Sequence, residues 1–186
     1  DPTYRKMRMQ VFLGIFIGYA GYYLVRKNFT FAVPLLVESG VSLTQCGVIM
    51  SAGSIAYGVS KFLMGNVSDR SNARIFLTLG LFLSAMMNIF LGVSLMFTTS
   101  VHLMFLLMFL NGWFQGMGWP PCGRVMTHWF SVSERGRKMA IWNIAHNVGG
   151  GLIGFLSMIG VYIFASQQGM FYLAGGCAIL VSIITY

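Results

Sequence analysis

Two stretches of this 186-residue chain decide most of what it can fold into. Ile75–Gly123 runs for 49 residues, and Met139–Tyr186 for 48, without a single Asp, Glu, Lys or Arg. A helix crosses a bilayer in about 20 residues, so each run reads as two spans. The natural breaks are Thr98-Thr99-Ser100 and Ser166-Gln167-Gln168-Gly169. Ser39–Ser60 gives a further run of 22, and Val11–Val25 gives 15 before Arg26-Lys27, after which apolar sequence resumes from Asn28 to Val37. The total is six transmembrane helices, over roughly 10–36, 45–67, 75–96, 101–124, 136–164 and 169–186, forming an all-α integral membrane bundle. Composition agrees, with 56% hydrophobic residues, 9% charged residues and a mean hydropathy of +0.73. Soluble domains carry about 25% charged residues, which argues against a soluble enzyme.

The chain has twelve Lys and Arg against four Asp and Glu, a net charge of +8. In a soluble protein this would suggest nucleic acid. Here the cations sort by side of the membrane, and no nucleic-acid partner is expected. Arg5, Lys6 and Arg8 precede the first span, Arg70 and Arg74 fall between spans two and three, and Arg135, Arg137 and Lys138 between spans four and five. The alternate turns, Glu38–Thr44, Met96–Ser100 and Ala165–Gly169, carry none. The positive-inside rule then predicts a multi-pass protein of the cell membrane with a cytoplasmic N-terminus. The aromatic and basic stretch 128–138 is expected to lie along the headgroup surface. The chain starts at Asp1 rather than Met and stops inside an apolar run at Tyr186, so it reads as a piece of a longer protein. Cys46, Cys122 and Cys177 are scattered and read as buried thiols.

Four cations remain inside or at the ends of spans: Arg26, Lys27, Lys61 and Arg124. A charge at mid-bilayer costs roughly 2.5–3.5 kcal/mol on the insertion scale. Arg26 lies about 24 Å along its span at 1.5 Å per residue, well inside. Lys27 and Lys61 can alternatively snorkel toward an interface, and Arg124 suits the mouth of the bundle. The acidic residues, Asp1, Glu38, Asp69 and Glu134, all fall at span ends or in loops. An interior with cations and no carboxylate calls for an anionic ligand, or for carboxylates elsewhere in the full protein. The neighbours supply donors at helical spacing: Tyr19, Tyr23, Arg26 and Lys27; Tyr57 and Lys61; Gln115 and Trp119; Trp142, Asn143 and His146. A guanidinium matches two phosphate oxygens at once, so a phosphate ester is the expected ligand. No Ser-His-Asp set, no phosphate loop and no metal-ligand spacing is present, so neither catalysis nor a cofactor is expected. Gly14 and Gly18 read as a close-packing pair, and the run Gly149-Gly150-Gly151 as close helix packing or a hinge.

The loop Gly65-Asn66-Val67-Ser68-Asp69-Arg70-Ser71-Asn72-Ala73-Arg74 resembles the signature loop of the major facilitator superfamily, with Asn72 and Ala73 replacing the usual Gly and Arg. Gly112-Trp113-Phe114-Gln115-Gly116-Met117-Gly118-Trp119-Pro120-Pro121-Cys122-Gly123-Arg124 is similar to the fourth-helix signature of the organophosphate:phosphate antiporters within it. Tyr22–Phe29 and Trp142–Gly151 fit the same family. The resemblance implies a twelve-helix transporter of two six-helix halves, of which residues 1–186 are the N-terminal half and the C-terminal half is the partner. It implies exchange of an organophosphate for inorganic phosphate, held by Arg26, Lys61 and His146. Lys27, Tyr19, Tyr23, Tyr57, Gln115, Trp119, Trp142 and Asn143 would line the same pore, and Gly65, Asp69, Arg70 and Arg74 would gate it. A phosphate-ester sensor on the same fold, and a cation-coupled symporter with carboxylates in the other half, are the competing readings.

Overall fold

Residues 1–186, all described by the computed structural model, form eight helices rather than six because two spans are interrupted. The first span is α1 (Pro2–Leu24) followed by α2 (Asn28–Glu38), and the second is α3 (Leu43–Asp69). The third is α4 (Ala73–Phe97), and the fourth divides into α5 (Val101–Gln115) and α6 (Trp119–Trp129). The fifth is α7 (Val132–Phe164) and the sixth α8 (Gly169–Thr185). Only α3, α4 and α7 are individually long and apolar enough to cross a bilayer. Spans 10–36 and 101–124, expected as single helices, are therefore corrected to broken ones.

Each break has a local cause. Between α5 and α6 the sequence Gly116-Met117-Gly118-Trp119-Pro120-Pro121 puts two prolines in the first turn of α6, where an N–H is dispensable. Glycine is required there by close approach. A Cβ on Gly116 would overlap the Ser60 side chain, and one on Gly118 would lie 3.1 Å from the Tyr22 ring. The first break has neither Gly nor Pro. Val25 and Lys27 leave helical geometry (φ −116° and −114°, ψ 11° and 8°), and the amides of Arg26 and Lys27 donate to no backbone carbonyl. Unpaired backbone inside a membrane costs several kcal/mol per group. The freed carbonyls of Tyr22 and Val25 are instead taken by the carboxamides of Gln115 (2.9 Å) and Asn111 (3.1 Å).

Two apolar clusters flank this level. One joins α1, α4, α6, α7 and α8 around Tyr22, Leu81, Met126 and Trp142. The other joins α2, α3, α4, α5 and α8 around Phe29, Ile49, Leu91 and Phe171. Small residues let the backbones meet. Gly112 of α5 touches the Gly53 carbonyl of α3, and Gly149 of α7 touches the Ala20 carbonyl of α1. Gly150, Gly151 and Gly14 face open space, so only one of the three consecutive glycines, and only Gly18 of its pair, is a packing position. All three cysteines are free, with Cys46 and Cys122 buried and Cys177 half-buried.

The stretch 128–138, expected along the headgroup surface, divides between the end of α6 and the start of α7. Trp129 ends α6, and α7 starts at Val132 behind a capping box of Ser131 and Glu134. Phe130 turns inward and is buried beneath Arg8 and Lys138, whose charges lie 4.8 and 5.7 Å from its ring centre. The reason is that an aromatic ring between two cations gains more from burial and cation–π contact than from exposure. Arg8 also forms an ion pair with Glu134. That guanidinium, with the Ser131 amide, pulls the Glu134 carboxyl down to about 2.

Two predictions follow from these contacts. Gly112→Ala should force α3 and α5 apart and lower the melting temperature of the detergent-solubilised protein by about 2–8 °C. Gly47→Ala, where a Cβ meets nothing, should leave it unchanged. A depressed carboxyl pKa stabilises the fold above its unfolded value and loses that effect as pH falls through the folded one. The melting-temperature difference between wild type and Glu134→Gln should therefore be constant above pH 4.5 and vanish toward about pH 2. It should also be small, because both side chains are partly exposed.

Candidate anion-binding site

Arg26 occupies the gap between α1 and α2, where no helical ladder constrains it. Its Nη1 donates to the Tyr23 hydroxyl at 3.1 Å, and its guanidinium carbon lies 4.0 Å from the centre of the Tyr57 ring. Tyr57 also faces Lys61, one turn along α3, at 5.7 Å, and the ammonium of Lys61 lies 5.1 Å from the Trp119 ring. On the other side Tyr23 contacts His146 (5.6 Å) and Tyr19 (5.6 Å), and Tyr19 packs on Trp142 at 4.5 Å. A continuous file of rings and cations thus crosses from α7 through α1 and α3 to α6. Arg26, Lys27, Tyr57 and Gln115 line a cavity of about 320 Å³ that opens beside the break.

The electrostatics are one-sided. The protein has one ion pair, Arg8–Glu134, at the basic end. Arg26, Lys27 and Lys61 have no carboxylate partner, and the compensation that Arg26 and Lys61 receive comes from the faces of Tyr23, Tyr57 and Trp119. An aromatic face attracts a cation without neutralising it, so the net positive charge remains available to an anion. No grouping of three His, Cys, Asp or Glu could hold a metal ion.

The remaining residues expected in the pore are placed differently from one another. Trp142 is fully buried, and its indole N–H donates to the Ile15 carbonyl at 3.2 Å, so it supports Tyr19 from behind. Asn143 is exposed, and its side chain takes no part in a hydrogen bond with the rest of the chain. Gln115 is buried, with its nitrogen committed to Tyr22 and Ser84.

The loop expected to gate the pore occupies the basic end. Asp69 ends α3 and lines a separate cavity with Gly65, Trp119 and Arg124. It has no ion-pair partner within these six spans. Arg70 caps α3, and Arg74 lies over Tyr186 at 4.9 Å. Arg124 donates from Nη1 to the carbonyls of Ser68 and Ser71, both at 2.7 Å. A cation is favoured at a helix C-terminus, so Arg124 clamps α6 to the end of α3.

The sequence reading missed this clamp and also missed Ser84 and Asn111, which join Gln115 in a buried hydrogen-bonded chain. Their signal was present. Both are polar residues within the 49-residue uncharged run, where a polar group needs a partner.

Six spans, two of them broken around an uncompensated cationic cavity, define a membrane bundle of the transporter type. The sequence profile of the Major Facilitator Superfamily matches residues 15–186, and the chain belongs to that family. It is 57% identical over 184 residues to the glycerol-3-phosphate transporter of Bacillus subtilis, covering 99% of this chain and 41% of that protein. The glycerol-3-phosphate transporter of Haemophilus influenzae is 52% identical over 171 residues, covering 91% and 36%. Membrane sensor protein UhpC of Escherichia coli is 44% identical over 184 residues, covering 98% and 41%. The chain thus spans about two fifths of the length of these relatives. Among solved structures, a bacterial homologue of the human lysosomal transporter Spinster superposes with a TM-score of 0.78 at 20% identity. The match covers 96% of this chain and 42% of that one, and it supports the fold.

Because Asp69 lies in a different cavity from Arg26, the two should fail differently. In the full-length protein, Asp69→Asn should cut turnover by about tenfold or more while changing substrate affinity less than about threefold. Paired measurements of binding and of vesicle uptake check this. A large affinity loss at unchanged turnover would place Asp69 in the substrate site.

Proposed function

We propose that this chain is the N-terminal six-helix half of a secondary transporter that takes up glycerol-3-phosphate in exchange for inorganic phosphate. The observation that carries the reading is the cavity at the α1–α2 break, where Arg26 and Lys27 face open space with tyrosine rings and no carboxylate. The glycerol-3-phosphate transporters named among its relatives at 52–57% identity supply the substrate. Arg26 takes the phosphate by two parallel hydrogen bonds, with Lys61 and His146 completing the charge on the neighbouring helices. A matching cation from the other half would close the grip.

Exchange follows from the same charges. Two half-bundles rocking about a central site give alternating access. With the site empty, cations of the two halves repel, and the closed intermediate is unfavourable. A phosphate dianion removes that repulsion, so the loaded protein reorients and the empty one does not. The ligand acts by favouring the transition between states, as any ligand that shifts a conformational equilibrium must. The basic end, where Arg5, Lys6, Arg8, Arg135, Arg137 and Lys138 gather, is assigned to the cytoplasm.

A second reading is favoured by the resemblance to a membrane sensor at 44% identity. A sensor would bind the same ester in the same cavity and signal without net transport. Vesicles loaded with inorganic phosphate and containing the full-length protein separate the two, since only a transporter releases phosphate on addition of external glycerol-3-phosphate.

Arg26→Lys keeps the charge but removes the planar fork. It should lower ester-for-phosphate exchange by at least about tenfold, measured in the same vesicles. Near-parental exchange by this variant would show that point charge, not bidentate geometry, holds the phosphate.

A further inference from the structure

The cavity beside Arg26 contains an atom that can accept a hydrogen bond, cannot donate one, and is unused by the protein. Its position follows from the buried polar chain. A backbone carbonyl oxygen only accepts, so the Gln115 atom 2.9 Å from the Tyr22 carbonyl is the amide nitrogen Nε2. The same reasoning orients Asn111, whose Nδ2 donates to the Val25 carbonyl at 3.1 Å. That leaves Asn111 Oδ1 to accept from the Ser84 hydroxyl at 2.8 Å. With its proton committed, Ser84 Oγ accepts from Nε2 of Gln115, also at 2.8 Å. Both hydrogens of the Gln115 carboxamide are consumed, and the amide cannot flip without breaking two buried bonds. Gln115 is 5% exposed. Its Oε1 has no donor in the protein, is not among the enclosed unpaired atoms, and belongs to the cavity wall shared with Arg26 and Lys27.

The hydroxyls of Thr30 and Tyr57 in that wall can turn to donate toward an anion. Gln115 Oε1 cannot, and it would repel the oxygens of a phosphate monoester dianion. Its fixed direction is useful to a ligand hydroxyl. We propose that Gln115 Oε1 accepts a hydrogen bond from a hydroxyl on the organic part of the phosphate ester, and that Ser84 and Asn111 are positioning residues that hold it there. The inference rests on the transport reading above, which assigns the phosphate end of the ligand to Arg26. It adds the group that reads a hydroxyl on the carbon chain of the ester, against an alkyl phosphate of equal charge. The same chain of hydrogen bonds ties the acceptor to the carbonyls at the helix break, so the acceptor and Arg26 are held by one piece of structure.

The test uses the full-length protein in phosphate-loaded vesicles and two probes of equal charge, glycerol-3-phosphate and n-propyl phosphate, as competitors of labelled phosphate uptake. In the wild type, glycerol-3-phosphate should bind about fivefold to tenfold more tightly than n-propyl phosphate, the increment of one neutral hydrogen bond. Gln115→Met should bring that ratio close to one, by weakening the hydroxylated ester beyond any loss the two esters share through the helix break, and Ser84→Ala should lower it part of the way. A merely structural role would weaken both esters equally and leave the ratio unchanged, which would overturn the proposal. A wild-type ratio near one would also overturn it, and that measurement needs no variant to assemble. Wild-type vesicles that exchange neither ester for phosphate would overturn the transport reading, and this inference with it.

Discussion

The arrangement on which the rest depends is the exchange of hydrogen bonds at the α1–α2 break. Opening a helix inside a bilayer frees carbonyls that water cannot reach. In this bundle the carboxamides of Gln115 and Asn111 take up the Tyr22 and Val25 carbonyls. That substitution lets Arg26 leave the helical ladder and project into a cavity. It also binds the first span to α4 and α5 through Ser84, at the level where one apolar cluster gives way to the other. Loss of any member would leave an unsatisfied polar group in a medium of low dielectric, where such a group is most costly. The position of the cation and the integrity of the bundle are therefore one problem rather than two.

The second constraint is that the cations are held without counter-charges. A buried carboxylate beside Arg26 would stabilise the empty protein and compete with any anion for the guanidinium. Tyrosine and tryptophan faces offer a weaker and non-neutralising partner. At the exposed end of the scale a cation–π contact contributes about 0.5–1 kcal/mol, less than a charge-assisted hydrogen bond to phosphate. Arg26 stacked on Tyr57, and Lys61 on Trp119, are placed and oriented by contacts that an arriving anion can outbid. At the basic end the design is reversed. Arg8 pairs with Glu134 and Arg124 grips two carbonyls, so those cations are committed to structure.

Much of this was legible in the sequence, and the reasons it was or was not are physical. Long uncharged runs specify spans, because length and hydropathy are the two quantities a bilayer imposes. The faces Tyr19-Tyr23-Arg26 and Tyr57-Lys61 were legible because helical spacing survives into the fold, and the structure brings them together with Trp119 and His146. The Val25–Lys27 break was not legible. It contains no helix breaker, and its cause lies in carboxamides more than eighty residues away, so no local signal marks it. The burial of Phe130 was not legible for a related reason. The stretch 128–138 has the composition of an interfacial segment, but the inward turn depends on Arg8 and Lys138 meeting across it. Trp142 was assigned to the pore face by spacing and by the resemblance, and in the structure it is fully buried, packed on Tyr19 and bonded to the Ile15 carbonyl.

The clamp at Arg124 bears on how such a half would move. Helix α6 begins at Trp119, which contacts Lys61 of α3, and one turn further on it carries Arg124, which holds the carbonyls at the end of the same α3. Helices α3 and α5 meet backbone to backbone at Gly53 and Gly112. An anion that pulls on Lys61 therefore pulls on α3 at a point tied to the fourth span both above and below. Sliding α3 past that span would break two hydrogen bonds to a guanidinium and separate a glycine contact, each a cost of order 1 kcal/mol or more. Rotation of the six spans as one body breaks neither. On the proposed transport reading, the cheaper response to ligand is rigid rocking, with the strain delivered to whatever surface the exposed apolar faces of this bundle oppose.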